Sequence, residues 1–168
     1  MPAILRTPAP PTLLTPTERS VIEKIAAGLS TQQAADELGM KVGTLSTHLS
    51  NIGYKFGVIS RPAKVHAALA SRQAPAPKPA GPRPDFTADE LLLLHAVATR
   101  SSDQEIAVAA DLTGISPARV KVRIRKLADK AGANGAAHLV GLAHAWQVLG
   151  ARTDAQPSTS TVPAPRQC

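Results

Sequence analysis

The chain contains the same unit twice. LTPTE at residues 14–18 returns as FTADE at 86–90, and LSTQQAA at 29–35 returns as SSDQEIA at 101–107. Further on, MKVGTLSTHLSNIGYKFGV (40–58) matches ISPARVKVRIRKLADKAGA (115–133). The offset is 72 residues in the first two segments and 75 in the third, so the second unit carries three extra residues near Ala109–Thr113. Internal repetition constrains the fold strongly, because whatever core the first unit builds the second must build again.

The repeated letters are also repeated physical devices. Thr15 with Glu18, Ser30 with Gln33, Thr87 with Glu90 and Ser102 with Glu105 each have the spacing of a capping box, in which side chain and backbone at a helix start satisfy each other. Pro16 follows Thr15 at a first helical position, where a missing N–H costs nothing. The segment ARVKVRIRKLADKA (118–131) taken alone reads two ways: as an alternating strand over Val120, Val122 and Ile124, or as a helix with Val120, Ile124, Leu127 and Ala131 on one side. Its counterpart decides. Leu45, Leu49, Ile52 and Phe56 are spaced four, three, four, which no strand can place on one face. Both segments are expected to be helices, and the closing Ala-rich helices are expected near 61–71 and 135–149.

Between the units lies APAPKPAGPRP (74–84), whose prolines exclude a helix or a sheet interior. At about 3.1 Å per residue such a segment could act as a spacer of roughly 35 Å. The expected organisation is an unstructured N-terminus at 1–12, a first domain at 13–72, a Pro-rich linker at 73–84, a second domain at 85–151, and a polar, Pro-rich tail at 152–168. Only 2% of residues are aromatic and much of the 43% hydrophobic content is Ala, which favours small helical bundles over wide sheets.

Net charge is +7 with a sequence pI near 10.1, pointing to an anionic partner, with nucleic acid the first candidate. The charge is unevenly placed. Residues 116–131 hold six basic residues and one acid, whereas 85–115 hold six acids and one base. Cys168 is the single cysteine, which excludes an intramolecular disulfide framework and a Cys-based zinc site. No stretch has the length of a membrane span or a signal peptide, so a soluble, intracellular protein is expected. His48, His66, His95, His138 and His144 show no metal-ligand spacing, and no nucleophile elbow, paired acids or Gly-rich phosphate loop occurs. No enzyme, metal or cofactor is expected.

Leu14-Thr15-Pro16-x-Glu18, Ala26-x-Gly28-x-Ser30, Ala35-x-x-Leu38 and Thr44-Leu45-x-x-His48-Leu49-x-x-Ile52-x-x-Lys55-Phe56-Gly57-Val58 together resemble the LuxR-type (GerE-like) helix-turn-helix domain. The second unit is similar but degenerate, keeping Ser102-x-x-Glu105-Ile106-Ala107, Ile115-Ser116 and Val120-Lys121-x-x-Ile124. The resemblance implies an all-α fold of two small bundles joined by the Pro-rich linker, each with a third helix that enters the DNA major groove. It implies base contacts mainly at Ser46, Thr47 and Ser50, and at Lys121, Val122 and Arg125. Thr44, His48, Asn51, Lys55, Arg119, Arg123 and Lys126 complete the two faces. Where the family usually has Lys or Arg, this chain has Ser46.

The implied function is a cytoplasmic, nucleoid-associated bacterial transcription regulator that reads an asymmetric site on double-stranded DNA, as a monomer or homodimer. The family pairs subunits through the fourth helix. Here two heads share one chain, and the spacer reach compares with the 34–36 Å of one DNA turn. Two other readings remain. In one, the second unit is an adaptor for RNA polymerase or another regulator. In the other, the chain is a sequence-indifferent nucleoid or plasmid-maintenance protein.

Overall fold

The computed structural model describes residues 13–112 and 114–149. The expectations for the first dozen residues, for the tail from 152 and for Cys168 lie outside the described residues. The described residues form eight α-helices and no strand. They are α1 (Pro16–Ala26), α2 (Thr31–Glu37), α3 (Val42–Phe56) and α4 (Arg61–Ala70), then α5 (Ala88–Thr99), α6 (Asp103–Ala109), α7 (Pro117–Lys130) and α8 (Ala136–Ala145). The all-helical reading of the sequence holds, including α7, where strand-like alternation competes in the letters.

All four capping boxes form. The Thr15 hydroxyl accepts from Glu18 N at 3.2 Å while the Glu18 carboxylate accepts from Thr15 N at 2.9 Å. Ser30/Gln33, Thr87/Glu90 and Ser102/Glu105 close in the same way. Each box satisfies otherwise orphaned donors at a helix start and so fixes where α1, α2, α5 and α6 begin. The ends of α3 and α7 also correspond. Gly57 (φ 67°) and Gly132 (φ 66°) both take the left-handed turn that stops the helix, a conformation glycine adopts without penalty.

The connection from α2 to α3 runs through residues 38–41, and that from α6 to α7 through 110–116. Asp111 (φ 55°) takes the left-handed conformation that Gly39 (φ 64°) takes in the first half. The extra length therefore comes after it, where Ile115 turns back against the core.

Within each half, the first helix packs on the third, the second on the third, and the third on the fourth. The largest helix–helix contact in the molecule, however, joins the halves: α4 lies against α8. α1 also packs on α8, and α5 on α4. Val65, Ala68 and Leu69 of α4 and Leu139, Val140 and Ala143 of α8 belong to one buried cluster with Val21, Ile25, Leu94 and Val97. The two expected helical bundles share one buried cluster. The physical reason is composition. α8 (AAHLVGLAHA) is apolar on all sides, and such a helix must be covered on more than one side.

The Pro-rich segment makes contacts of its own with the second bundle. Ala74 is buried, Pro77 lies against Gly141 of α8, and the Trp146 indole N–H donates to Gly81 O at 3.4 Å. Trp146 also stacks obliquely near Phe86, with ring centroids 6.2 Å apart. The segment is laid along α8, so the separation of the two halves is set by the seam and not by linker length.

Across the seam, His66 Nδ1 and His144 Nε2 are 2.9 Å apart. Burial, then the neighbouring His66, holds the His144 imidazole down to about 4. Burial, then the charge of His95 on α5, lowers His66 as well. A histidine depressed in the folded state supports folding above its ordinary value near 6.5 and withdraws that support as pH falls. The melting temperature should therefore hold above pH 6.5 and begin to decline as pH falls below it, with the carboxylates adding to the loss only nearer their ordinary value of 4.5. His144→Leu places at this position the residue that α4 carries at the matching Leu69, and thermal unfolding of that variant should show a shallower decline. An unchanged pH profile would remove the imidazole pair from the explanation.

Candidate nucleic-acid interface

In both halves the third helix is held by a charge at the start of the first. Lys55 Nζ, near the end of α3, is 2.6 Å from Glu18 Oε2 and also donates to Leu13 O at 3.1 Å. Lys130 Nζ, at the end of α7, is 2.7 Å from Glu90 Oε2. Each glutamate closes its capping box as the third residue of the first helix, so one carboxylate both starts that helix and ties down the third. Burial pushes the Glu18 carboxyl up, yet the Lys55 ammonium and the Thr15 donors outweigh it, leaving it below the usual carboxylate range. Glu90 is lowered by Lys130 first and by the Thr87 backbone second.

With the C-terminal ends anchored, one side of α3 is buried through Leu45, Leu49, Ile52 and Gly53, and one side of α7 through Val120, Leu127 and Ala128. The opposite sides face solvent. Thr44, Ser46, Thr47, Ser50 and Asn51 are exposed on α3, as are Arg119, Lys121, Val122, Arg123, Arg125 and Lys126 on α7. Two residues of the first face are less open to solvent than the others. Lys55 is half-buried and engaged with Glu18, so its ammonium serves the fold. His48 is half-buried, and its Nδ1 is enclosed without a hydrogen-bond partner.

At about 100° per residue, the exposed residues of α7 sort into strips. Arg119, Arg123 and Lys126 run along one edge, Lys121 and Arg125 along the other, and Ala118 and Val122 lie between them. Two cationic rails flank a narrow strip of Ala118 and Val122 that ends at the exposed Asp129. Lys121 Nζ is 3.4 Å from Asp103 Oδ2, and its side chain remains 71% exposed. On α3 the same positions carry Thr44, His48 and Asn51 on one edge, Ser46 and Ser50 on the other, and Thr47 between. That face is uncharged. Thr47 and Ser50 turn their hydroxyls back to Gly43 O and Ser46 O, at 3.0 and 3.1 Å. Such bonds leave the oxygen lone pairs free to accept.

Sequence reasoning missed the Glu18–Lys55 and Glu90–Lys130 pairs. The recurrence of a lysine at 55 and 130 was visible, but its partner lies 37 or 40 residues away on another helix. Among the described residues no cluster of three or more potential metal ligands occurs, and no helix is long and apolar enough to cross a membrane.

Residues 12–68 match the family GerE, bacterial regulatory proteins, luxR family. The match covers α1 to α3 and most of α4, and it supports a DNA-binding transcription regulator. No curated protein and no solved structure matches the chain.

The two ion pairs should differ in weight. Glu18 is 4% exposed and Lys55 22%, so Lys55→Ala leaves an almost buried carboxylate without its partner and should cost about 2–3 kcal/mol. Glu90 and Lys130 are 29% and 38% exposed, and Lys130→Ala should cost about 1 kcal/mol or less. Denaturant unfolding of the two variants checks the order; equal losses would contradict it.

Proposed function

We propose that this chain is a transcription regulator that binds double-stranded DNA through two helix-turn-helix heads, residues 13–72 and 85–149, with α3 and α7 each lying in a major groove. The observation that carries this reading is the recurrence, outside the matched residues, of the same mounting: a capped first helix whose glutamate pins the far end of an exposed third helix. In the first half that helix lies inside the GerE match. The second half reproduces the arrangement with a strongly basic face.

The two faces suit different parts of a duplex. Ser46, Thr47, Ser50 and Asn51 offer hydroxyls and an amide to base edges, and Asn is suited to adenine. Thr44 and His48 sit toward the phosphates. On α7, a major groove about 12 Å wide admits the helix with a phosphate wall on either side. The two rails, Arg119, Arg123 and Lys126 and then Lys121 and Arg125, fit those walls. Val122 between them fits a thymine methyl group, and Lys121 and Arg125 are also placed to reach guanine edges. Lys55 is left to the fold. The site read would be asymmetric, since the heads differ at nearly every exposed position.

Selection of binding sites from a random duplex pool with the whole chain tests the reading, and an enriched sequence is expected. Affinity should fall steeply with salt. The Lys121→Gln/Arg125→Gln double variant should flatten the plot of log K against log salt by roughly 1.8, about 0.9 for each phosphate that is no longer neutralised. A charge-reversed Lys121→Glu/Arg125→Glu chain that keeps its DNA affinity would instead assign α7 to a protein partner such as RNA polymerase. Equal affinity for selected and random DNA would leave a sequence-indifferent binder.

A further inference from the structure

A cleft of about 560 Å³ opens between the two halves, and no residue of α3 or α7 lines it. Its volume suits a small organic molecule. One wall belongs to the first half, where Ile25 and Leu29 close α1 and Arg61 and Pro62 begin α4. The other belongs to the second half, where Asn134 and His138 flank the start of α8. Gly28 lets the walls approach each other. Its backbone is at φ 92°, and a Cβ there would stand 2.5 Å from His138 Nδ1. Across the gap the Asn134 amide donates to Gly28 O at 3.3 Å.

The polar groups of this cleft are of one kind. None of the lining residues is acidic. Arg61 Nη2 donates to Thr31 Oγ1 at 2.7 Å, and among the described residues no carboxylate pairs with the guanidinium. Most of its fork is therefore left to meet an oxygen anion. The Asn134 backbone N–H donates to His138 Nδ1 at 3.0 Å, so the neutral ring carries its proton on Nε2 and offers it as a donor. Burial lowers that imidazole from its ordinary value, which keeps it neutral at neutral pH. No side chain caps α8, so the N–H groups of its first turn add to the donors on this wall. Beside these groups, Ile25, Leu29 and Pro62 present carbon alone. We infer that the cleft binds a small organic anion, a carboxylate on an apolar body, with the Arg61 guanidinium on the carboxylate and Ile25, Leu29 and Pro62 against the carbon chain. This stands apart from the reading of α3 and α7, because the cleft and its donors are the same whatever those helices meet.

The test uses the full chain without DNA, titrated with hexanoate and followed through its amide chemical shifts by NMR. The amides of Gly28, Leu29, Gly135 and Ala137 should shift and saturate, with a Kd on the order of 1 mM or tighter for so small a probe. Arg61→Gln, a change at an exposed side chain, should weaken binding by about tenfold or more, as expected when a charge-assisted fork becomes a neutral amide. Hexanamide has the same length and no charge, and should bind the unaltered chain more weakly by a similar factor. Inorganic phosphate has the charge without the carbon chain, and should shift the same amides with lower affinity than hexanoate. Shifts that fail to saturate or that lie away from the cleft overturn the site. Full hexanoate affinity in Arg61→Gln, or hexanamide binding as tightly as hexanoate, overturns the role of the guanidinium and with it the anion. Phosphate binding as tightly as hexanoate overturns the apolar body.

Discussion

The contact between α4 and α8 is the constraint on which the rest of this molecule depends. Each four-helix unit is small, and a unit of this size buries a modest fraction of its surface on folding. Both closing helices are rich in Ala, with too little bulk to fill a core of their own. Laying them against each other merges two marginal cores into one, and Val65, Ala68, Leu139 and Val140 become fully enclosed. The apolar area removed from water at this seam is gained without loss of translational freedom, because the partner is on the same polypeptide. The linker strengthens the arrangement by lying along α8, with Pro77 on Gly141 and Gly81 under the Trp146 indole.

A second constraint acts within each half and aims the exposed helix. A helix lying across a bundle can rotate about its axis unless something other than apolar contact holds it, since apolar contact is non-directional. The lysine at the end of α3 or α7 supplies a direction by reaching the glutamate of the first helix's capping box. In the first half the bond is nearly closed off from solvent, and in the second it is looser, with Lys130 also 5.8 Å above the Phe86 ring. The first half is thus the more firmly mounted of the two.

Local structure was legible in the sequence because its causes are local. The capping residues Thr15, Ser30, Thr87 and Ser102 act over three positions, and all four mark helix starts that the structure contains. The helical character of 118–131 needed one further step, comparison with 43–56. The seam was harder to read, because nothing in the letters of α4 names α8 as its neighbour. The signal present was indirect: α8, and LLLL in α5, are apolar around their whole circumference, which a helix covered on one side alone does not require. The commitment of Lys55 to Glu18 was illegible for a different reason. A cation on a face otherwise made of hydroxyls looks like part of that face until its actual reach is known.

Carrying the two halves on one chain also bears on what their exposed faces can become. When two identical subunits pair, both faces carry the same residues, and any change to one is a change to both. Two unlike halves on one chain have no such restriction. Ser46 and Ser50 on α3 occupy the places of Lys121 and Arg125 on α7, and Thr47 occupies that of Val122. Neutral hydroxyls discriminate through short, directed hydrogen bonds, whereas guanidinium and ammonium groups attract a polyanion over longer distances. The first face offers directed hydrogen bonds and the second a field of positive charge, and the shared buried cluster holds both on one body. That division needs a seam that does not exchange partners. The bonds from Ser60 to Arg100 O and from Asn134 to Gly28 O, backed by the shared core, provide one.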